Sequence, residues 1–404
     1  MNRRHAAAAA ALLALILPLP IAASATAVAA PVPATASVSA SAPAAGTAAA
    51  TGPQATARVE LPRPTGRFAV GQETLHLVDR TRTDPWARSG PRELMVTMRY
   101  PAVRGTGGPV RYLTVAEARL LLAARELDKV IPAETLAGTA AHAREGARAL
   151  PGRHPLVVLS PGFTVHRATL TSLAEELASR GYVVASVDHA YETVGTAFPG
   201  GRVLECLACT RVGEEPSGYR AVSDGRARDV SFLLDRLTGP HPAWRKSHLI
   251  DRGRIAMAGH SIGGAGTAAA MAADPRIRAG VDMDGTLFTP VPEKGLGGRP
   301  FMLLAAADGA PGGEASWDRD WPRLDGWKRW ISFKDADHFT FTDVPSIGDQ
   351  LGLPDLESPL SGARSVQLTR TFVGAFMDRH LRGIPQPLLR GPSAEAPEAV
   401  FHRP

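Results

Sequence analysis

The chain has 404 residues, 44% of them hydrophobic, and its 45 lysines and arginines exceed its 39 aspartates and glutamates by six. The basic residues are scattered and are not interleaved with aromatic residues, so the charge does not indicate a nucleic-acid-binding protein. A net positive charge does permit weak attraction to anionic lipid, so a transient membrane contact stays open.

The N-terminal segment, residues 1–29, has the three parts of a secretory signal peptide. Arg3-Arg4 is a short basic stretch, an apolar run follows from Ala6 to Ala23, and Ala27-Val28-Ala29 fits a small-residue cleavage site. Two prolines interrupt the apolar run, and most of the rest is alanine, which argues against a permanent membrane anchor. We therefore expect a protein that is secreted after cleavage.

A change of composition follows this segment. Residues 30–58 are almost wholly Ala, Pro, Thr, Ser, Val and Gly. Such a segment has little apolar surface to bury, which predicts a disordered linker. No internal repeat and no second linker of comparable length follows, so residues 59–404 are predicted to form one folded domain.

Short β-rich runs alternate with helical patterns through this domain, which predicts an α/β fold with a mostly parallel central sheet flanked by helices. The first two predicted strands form an antiparallel pair, and the eighth is predicted to be the last. In chain order the predicted strands are Leu75–Val78, Leu94–Tyr100, Pro155–Ser160, Tyr182–Val187, Arg254–Ala258, Ala279–Met283, Phe301–Ala305 and Trp330–Phe333.

Helical spacing of apolar residues predicts helices around Leu170–Leu177 and Val230–Leu237, and a closing helix over Val366–Leu381. A helical insertion is predicted after the second strand, from about Leu113 to Arg148. Two interpretations of it stay open. It is either an ordinary helix that covers the sheet edge, or a cap that walls an acyl pocket or touches lipid.

The chain has two cysteines, Cys206 and Cys209, in a C-x-x-C pattern. In an exported chain this pattern favours a small structural disulfide over two free thiols. No second Cys/His pair with ligand spacing follows closely, so we expect no zinc site.

A G-x-S-x-G motif, Gly259-His260-Ser261-Ile262-Gly263, lies between a predicted strand and a helix of small residues. This strand–turn–helix context is typical of the nucleophile elbow of α/β hydrolases. There the serine lies on a strained turn, and side chains at the glycine positions would clash with the neighbouring strand and helix. Ser261 is therefore the predicted nucleophile.

A serine hydroxyl needs a base to remove its proton. His338 is the strongest candidate, because it follows the eighth predicted strand and the fold requires the chain order serine, acid, histidine. His260 is part of the elbow and is expected to point away. His189 is predicted to be structural or to form a pocket wall, and His380 to lie on the closing helix far from the site.

Two aspartates are candidates for the acid. Asp284 follows the strand after the elbow, and Asp308 follows the next strand. Asp282 is expected to face the other side of its strand. The fold alone favours Asp308.

The oxyanion hole needs two backbone N–H donors. The predicted donors are Ile262, the residue after the nucleophile, and Phe163, in the turn after the third strand. Gly162 in that turn allows the backbone to approach a substrate closely.

Taken together, these motifs resemble the platelet-activating factor acetylhydrolase family, the plasma-type and bacterial branch of the α/β hydrolases. The resemblance runs from about residue 65 to 385. Pro161 stands where the plasma enzymes have histidine. Related bacterial lipases and polyester hydrolases share the Pro-Gly-Phe form of this chain. The matching segments are Val78-Asp79-Arg80, Asp84-Pro85-Trp86, Arg92-Glu93-Leu94-Met95, Tyr100-Pro101, Leu156 to Phe163, Gly259 to Ala265, Met283 to Phe288, and His338.

The resemblance implies that Asp284 is the acid, with Asp308 as the alternative. It also implies a secreted serine carboxylic-ester hydrolase that releases short acyl groups from phospholipid-like or other small ester substrates through an acyl-enzyme, with no metal or organic cofactor. A lipase or cutinase-like polyester hydrolase is the alternative within hydrolases. A catalytically silent lipid-binding module is the alternative outside them.

Overall fold

The computed structural model of the protein describes residues 58–353 and 360–403. The predicted signal peptide and nearly all of the predicted linker lie outside the described residues. Within the described ranges, no helix is both long enough and apolar enough to cross a membrane.

A large mixed sheet of eleven strands forms the centre of the described domain. A further pair of short strands forms a separate two-stranded sheet. The strands are β1 Ala69–Thr83, β2 Pro91–Ala102, β3 Gly108–Pro109, β4 Arg144–Glu145, β5 His154–Ser160, β6 Val183–His189, β7 Thr196–Ala197, β8 Val203–Leu204, β9 Ile250–His260, β10 Ile277–Met283, β11 Phe301–Ala305, β12 Lys328–Phe333 and β13 Ala399–His402.

The strand order in the large sheet is β13-β12-β11-β10-β9-β5-β6-β2-β1-β4-β3. Six neighbouring strands, β6, β5, β9, β10, β11 and β12, run parallel to one another, and β1 and β2 pair antiparallel, as predicted. The prediction that the eighth strand is the last was wrong, because β13 pairs antiparallel with β12, with Trp330 opposite His402 and Phe333 opposite Ala399. A four-residue strand shows no clear alternation in sequence and depends on the open edge of its neighbour.

Helices pack on both faces of the sheet. The sequence of β5 is apolar throughout because both faces of the strand are buried. Leu156 and Val158 belong to one hydrophobic core, and Val157 and Leu159 belong to the other. The helices are α1 Val115–Ala123, α2 Ala133–Ala137, α3 Thr171–Ser179, α4 Ala208–Arg211, α5 Tyr219–Thr238, α6 Ile262–Ala273, α7 Ala315–Asp320, α8 Val344–Leu351 and α9 Gly362–Arg382.

The insertion after β2 is less helical than predicted. Only α1 and α2 are α-helical in it, and its remainder is loop and short strand. Helix α1 begins at a capping box in which the Thr114 hydroxyl accepts from the Glu117 N–H and the Glu117 carboxylate accepts from the Thr114 N–H. Pro132 at the start of α2 and Gly138 at its end limit that helix to five residues. The insertion is less helical than predicted because these caps and helix-breaking residues outweigh its apolar periodicity.

Candidate active site

Ser261 lies in the turn between β9 and α6, with φ 56° and ψ −127°. The flanking glycines make this turn sterically feasible. A Cβ on Gly259 would lie 2.1 Å from the backbone of Gly263, and a Cβ on Gly263 would lie 2.1 Å from the carbonyl oxygen of Ser160. The motif therefore has the strained strand–turn–helix geometry predicted from the sequence.

The ends of β9 and β10 bring Ser261 close to Asp284. The N–H of Ser261 donates to the carbonyl oxygen of Met283 at 2.8 Å, and a Cβ on Gly285 would lie 2.1 Å from the carbonyl oxygen of Ser261. Carboxyl ends of parallel strands meet at one edge of the sheet, which is where α/β proteins bind ligands.

His338 follows β12 and reaches the same edge. Its Nδ1 lies 2.6 Å from Oδ2 of Asp284, while Oδ1 of Asp284 accepts from the N–H of Ala306 at 2.8 Å. Asp308 is exposed, and the carboxylate that contacts His338 belongs to Asp284 instead. The His338 side chain is 34% exposed and that of Asp284 16%, so the imidazole is open to a substrate while its carboxylate partner is largely covered.

Asp282 faces the other side of β10, as expected from strand alternation. Its Oδ1 accepts from the N–H of Gly285 at 2.9 Å, and a Cβ on Gly264 would lie 1.7 Å from the same oxygen. Full burial, followed by the nearby Asp284 charge, raises the pKa of Asp282 well above its usual range. Asp282 is thus a buried acid beneath the elbow that holds its proton more tightly than an exposed aspartate does.

The two predicted oxyanion donors lie at the ends of neighbouring elements. Ile262 is the first residue of α6, so its N–H has no acceptor within the helix. The N–H of Phe163, after β5, makes no hydrogen bond to any residue that the structure describes. Gly162 beside it is closely surrounded, because a Cβ there would lie 3.0 Å from Nδ1 of His260.

His260 contributes more than the sequence suggested. Its ring was expected to point away, but Nε2 lies 2.7 Å from the carbonyl oxygen of His338, and the two imidazole centroids are 4.7 Å apart. Burial, followed by the neighbouring His338, lowers the pKa of His260 to about 3. His260 is therefore neutral and donates from Nε2 to the loop that carries His338. In the sequence, the one signal for this contact is the position of His260 next to Ser261 in the motif.

The remaining candidate groups have structural positions. His189 is buried, with Nδ1 at 2.7 Å from Asp229, which agrees with the structural interpretation. His380 lies on α9 with its ring 4.5 Å from that of Trp327. Cys206 and Cys209 form a disulfide, as predicted. Among the described residues, no group of three His, Cys, Asp or Glu side chains could hold a metal ion.

An apolar cavity of about 100 Å³ lies between the insertion and the loop after His338. One wall comes from the insertion, and the other includes Phe339, next to His338, and Val165, two residues after Phe163. The lining residues are Tyr112, Leu121, Leu122, Arg125, Leu127, Ile131, Leu136, Val165, Thr169, Phe339, Val344, Ile347, Leu351 and Leu353. The insertion thus walls an apolar space that includes Phe339, the chain neighbour of His338, which supports the cap interpretation.

Comparison with known proteins agrees with this geometry. Residues 113–198 match the family model for platelet-activating factor acetylhydrolase, isoform II. The "Probable 1-alkyl-2-acetylglycerophosphocholine esterase" of Arthroderma benhamiae is 30% identical over 375 residues, which cover 84% of this chain and 93% of that protein. The chain belongs to the platelet-activating factor acetylhydrolase family.

Two further relatives bear on fold and chemistry. The solved structure of the ferulic acid esterase from Streptomyces cinnamoneus is 44% identical and superposes with a TM-score of 0.77, covering 85% of this chain and 99% of that one. The bis(hydroxyethyl) terephthalate hydrolase of Streptomyces coelicolor is 30% identical over 132 residues, 33% of each chain. The α/β-hydrolase fold and the carboxylic-ester hydrolase class predicted from the sequence are confirmed.

Proposed function

We propose that Ser261, His338 and Asp284 are the catalytic triad of an exported esterase that releases short acyl groups from phospholipid-like esters. The observation that carries the assignment is the 2.6 Å contact between His338 Nδ1 and Asp284 Oδ2 at the edge of the sheet where Ser261 occupies its strained turn. This arrangement matches the roles of nucleophile, base and orienting acid.

The first chemical step is acylation of the serine. Asp284 accepts a hydrogen bond from the Nδ1–H of His338, which leaves Nε2 unprotonated and able to take the Ser261 proton as the hydroxyl attacks the ester carbonyl. His338 then gives that proton to the departing alcohol. Water then attacks the acyl-enzyme with the same help from His338, and the carboxylic acid product is released.

The negative charge that develops on the carbonyl oxygen needs donors that are already in place. In this proposal the N–H groups of Ile262 and Phe163 supply them. Their lack of other acceptors within the described residues supports this role, because backbone N–H groups in proteins are nearly always paired. The N-terminal end of α6 adds a favourable dipole.

The small apolar cavity supports a short acyl group. An apolar cavity of roughly 150 Å³ holds one benzene molecule, and the cavity lined by Phe339 has about 100 Å³. It therefore suits a chain of only a few carbons. The esterase relative of Arthroderma benhamiae carries an acetyl-ester substrate in its name, which supports the same choice.

The central test is replacement of the nucleophile. Ser261→Ala should abolish hydrolysis of p-nitrophenyl acetate and of a 2-acetyl phospholipid, and a fluorophosphonate probe should label wild type but not the variant. Activity should decrease as the acyl chain of p-nitrophenyl esters lengthens from two to eight carbons. Activity retained in pure Ser261→Ala protein would refute the triad, and a maximum at long chains would refute the short-acyl substrate.

A second candidate substrate class is aromatic or polymeric esters. Phe163, Tyr219 and Phe288 are half-buried and pack against the hydrophobic cluster that includes Ile262. The Phe163 and Tyr219 rings are 5.5 Å apart, and the Tyr219 and Phe288 rings are 5.3 Å apart. A planar acid could lie on this aromatic wall. The ferulic acid esterase and terephthalate-ester hydrolase relatives favour the same class. Faster hydrolysis of methyl ferulate than of acetyl esters would select this candidate.

Export and lipid contact are the remaining parts of the proposal. The signal-peptide pattern of residues 1–29 supports secretion, and cleavage after Ala29 would place Ala30 at the mature N-terminus. Val130 on the insertion is 64% exposed, which supports transient contact with lipid surfaces. N-terminal sequencing of protein from the culture medium tests the first point, and sedimentation with phosphatidylcholine vesicles the second.

A further inference from the structure

We infer that Arg226 is a positioning residue that sets the orientation of the oxyanion loop, residues Pro161–Phe163, and so aims the N–H of Phe163 at the reacting carbonyl. The inference rests on the proposed function, because it requires an oxyanion formed at Ser261. Arg226 lies on α5, far from the G-x-S-x-G motif in sequence, and its side chain is only 1% exposed.

The guanidinium of Arg226 binds the oxyanion loop from behind. Nη1 donates to the carbonyl oxygen of Pro161 and, at 3.2 Å, to the hydroxyl oxygen of Ser160. Nη2 lies 3.5 Å from the carbonyl oxygen of Gly162. One side chain therefore faces two successive carbonyls of the loop.

The planarity of the peptide bond converts these contacts into a direction for the donor. In a trans peptide the C=O and the N–H of the same unit point to opposite sides. The Gly162 carbonyl and the Phe163 N–H belong to one unit, so a carbonyl turned toward Arg226 directs the N–H of Phe163 away from it. That N–H has no acceptor among the described residues, as expected of a donor kept for a substrate.

A buried cation needs a buried counter-charge. Nε of Arg226 donates to Oε2 of Glu192 at 2.8 Å, and the other oxygen of Glu192 accepts from Arg92 at 2.8 Å and from the indole of Trp86 at 2.9 Å. Burial raises the pKa of Glu192, but the charges of Arg226 and Arg92 outweigh it and lower that pKa overall. Glu192 is therefore ionised and holds Arg226 in place.

The same segment holds the far end of the loop. The N–H of Thr164, which has φ 69°, donates to the carbonyl oxygen of Glu192 at 3.0 Å, and the Thr164 carbonyl oxygen accepts from the N–H of Val194 at 3.0 Å. On the other side, a Cβ on Gly266 of α6 would lie 3.4 Å from Cβ of Arg226. Arg226 is thus fixed between the nucleophile helix and the oxyanion loop.

The test compares Arg226→Gln and Arg226→Lys with a matched control. Arg370 is also a buried arginine that donates to backbone carbonyls, those of Ser172, Arg63 and Pro62. These carbonyls lie outside the oxyanion loop, so Arg370→Gln tests the loss of a buried arginine without loss of the loop contact. Active sites are counted by fluorophosphonate labelling before rates are compared.

Loss of one oxyanion donor lowers kcat by roughly 100-fold or more in serine hydrolases. We expect Arg226→Gln to lower kcat for p-nitrophenyl acetate by about 100-fold per active site, with KM changed less than about threefold. A short-chain trifluoromethyl ketone forms an oxyanion on the serine, so its Ki should rise in parallel. Arg226→Lys keeps the charge beside Glu192 but cannot face both carbonyls, and should show a smaller loss of the same kind.

Each outcome decides the inference. Parallel losses of kcat and inhibitor affinity in the Arg226 variants, with kcat unchanged in Arg370→Gln, support it. Unchanged kcat and Ki per active site in a folded Arg226 variant overturn it, as does an effect confined to KM or an equal loss of kcat in Arg370→Gln. If Arg226→Gln does not fold, Arg226→Lys decides by the same criteria. Activity that survives in Ser261→Ala would instead refute the proposed function itself.

Discussion

The two sides of Ser261 are supported by different chemistry. On the oxyanion side, the loop is held by fully buried ions, in which Arg226 pairs with Glu192, and Arg92 bridges Glu192 and Asp229. On the His338 side, the supporting groups are the neutral imidazole of His260 and a single partly covered carboxylate.

The difference follows from what each side does in an ester hydrolase. The oxyanion donors act as fixed dipoles, so a rigid network of ion pairs suits them. The base must gain and lose a proton in each cycle, and strong buried charges around it would hold it in one protonation state. The comparison predicts that the ion pairs of the oxyanion side contribute more to the free energy of unfolding. It also predicts that activity is more sensitive to loss of Asp284, the one acid on the His338 side.

The largest effect is expected on the His338 side. Asp284→Asn should lower kcat by about 10⁴-fold, because the amide favours the wrong tautomer of the histidine, with little change in fold. Asp308→Asn is the matched control, since Asp308 is exposed and Asp284 makes the contact to His338. Steady-state kinetics on p-nitrophenyl acetate checks both. A loss confined to Asp308→Asn would reverse the assignment of the acid.

On the oxyanion side, Glu192→Gln leaves Arg226 and Arg92 without the carboxylate between them. Removing one partner of a buried ion pair costs about 3–5 kcal/mol in the free energy of unfolding. The control is Glu398→Gln, which breaks a partly exposed pair with Arg364 and should cost about 1 kcal/mol or less. Urea denaturation measures both. Equal losses would show that the buried network has no special role in stability.

The elbow joins the two sides, and Gly263 is one of its closely packed glycines. Gly263→Ala places a methyl group 2.1 Å from the carbonyl oxygen of Ser160, so we expect a loss of about 1–3 kcal/mol in unfolding free energy together with lower activity. Gly225→Ala on α5 has its nearest heavy atom at 3.9 Å and should stabilise the protein by up to about 1 kcal/mol. Thermal unfolding distinguishes them. A tolerated Gly263→Ala would mean that the elbow can relax.

The last expected effect concerns pH and is spread over several pH units. The pKa of His260 is about 3 in the folded protein against the usual 6.5, so between these values the unfolded chain binds a proton that the folded protein does not. Stability should therefore fall as pH falls below about 6.5, by up to about 1.4 kcal/mol per pH unit from this group. His260→Gln keeps an N–H donor and should reduce that slope. Unfolding free energies from pH 4 to 7 test this, and identical slopes would contradict it.

Much of the architecture was predictable because its signals are local. Eight strands and the closing helix follow from apolar runs and their spacing. The missed strand β13 is four residues long and depends on the edge of β12, and the insertion is shorter in helix than its apolar periodicity suggests because Pro132 and Gly138 limit α2. Such features depend on neighbours or caps, which periodicity does not reveal.

The sequence by itself predicted Ser261 as the nucleophile and the chain order of the proposed catalytic groups. Glycines on both sides of Ser261, a strand before it and a histidine after β12 are readable along the chain, because each is a pattern of residue types that lie near one another in sequence. Only the tertiary structure decided which aspartate contacts His338, that His260 binds the His338 loop, and that Arg226 faces the oxyanion loop. Those contacts join residues that are 54 to 78 positions apart, and they form only when the strands of the sheet bring their ends together.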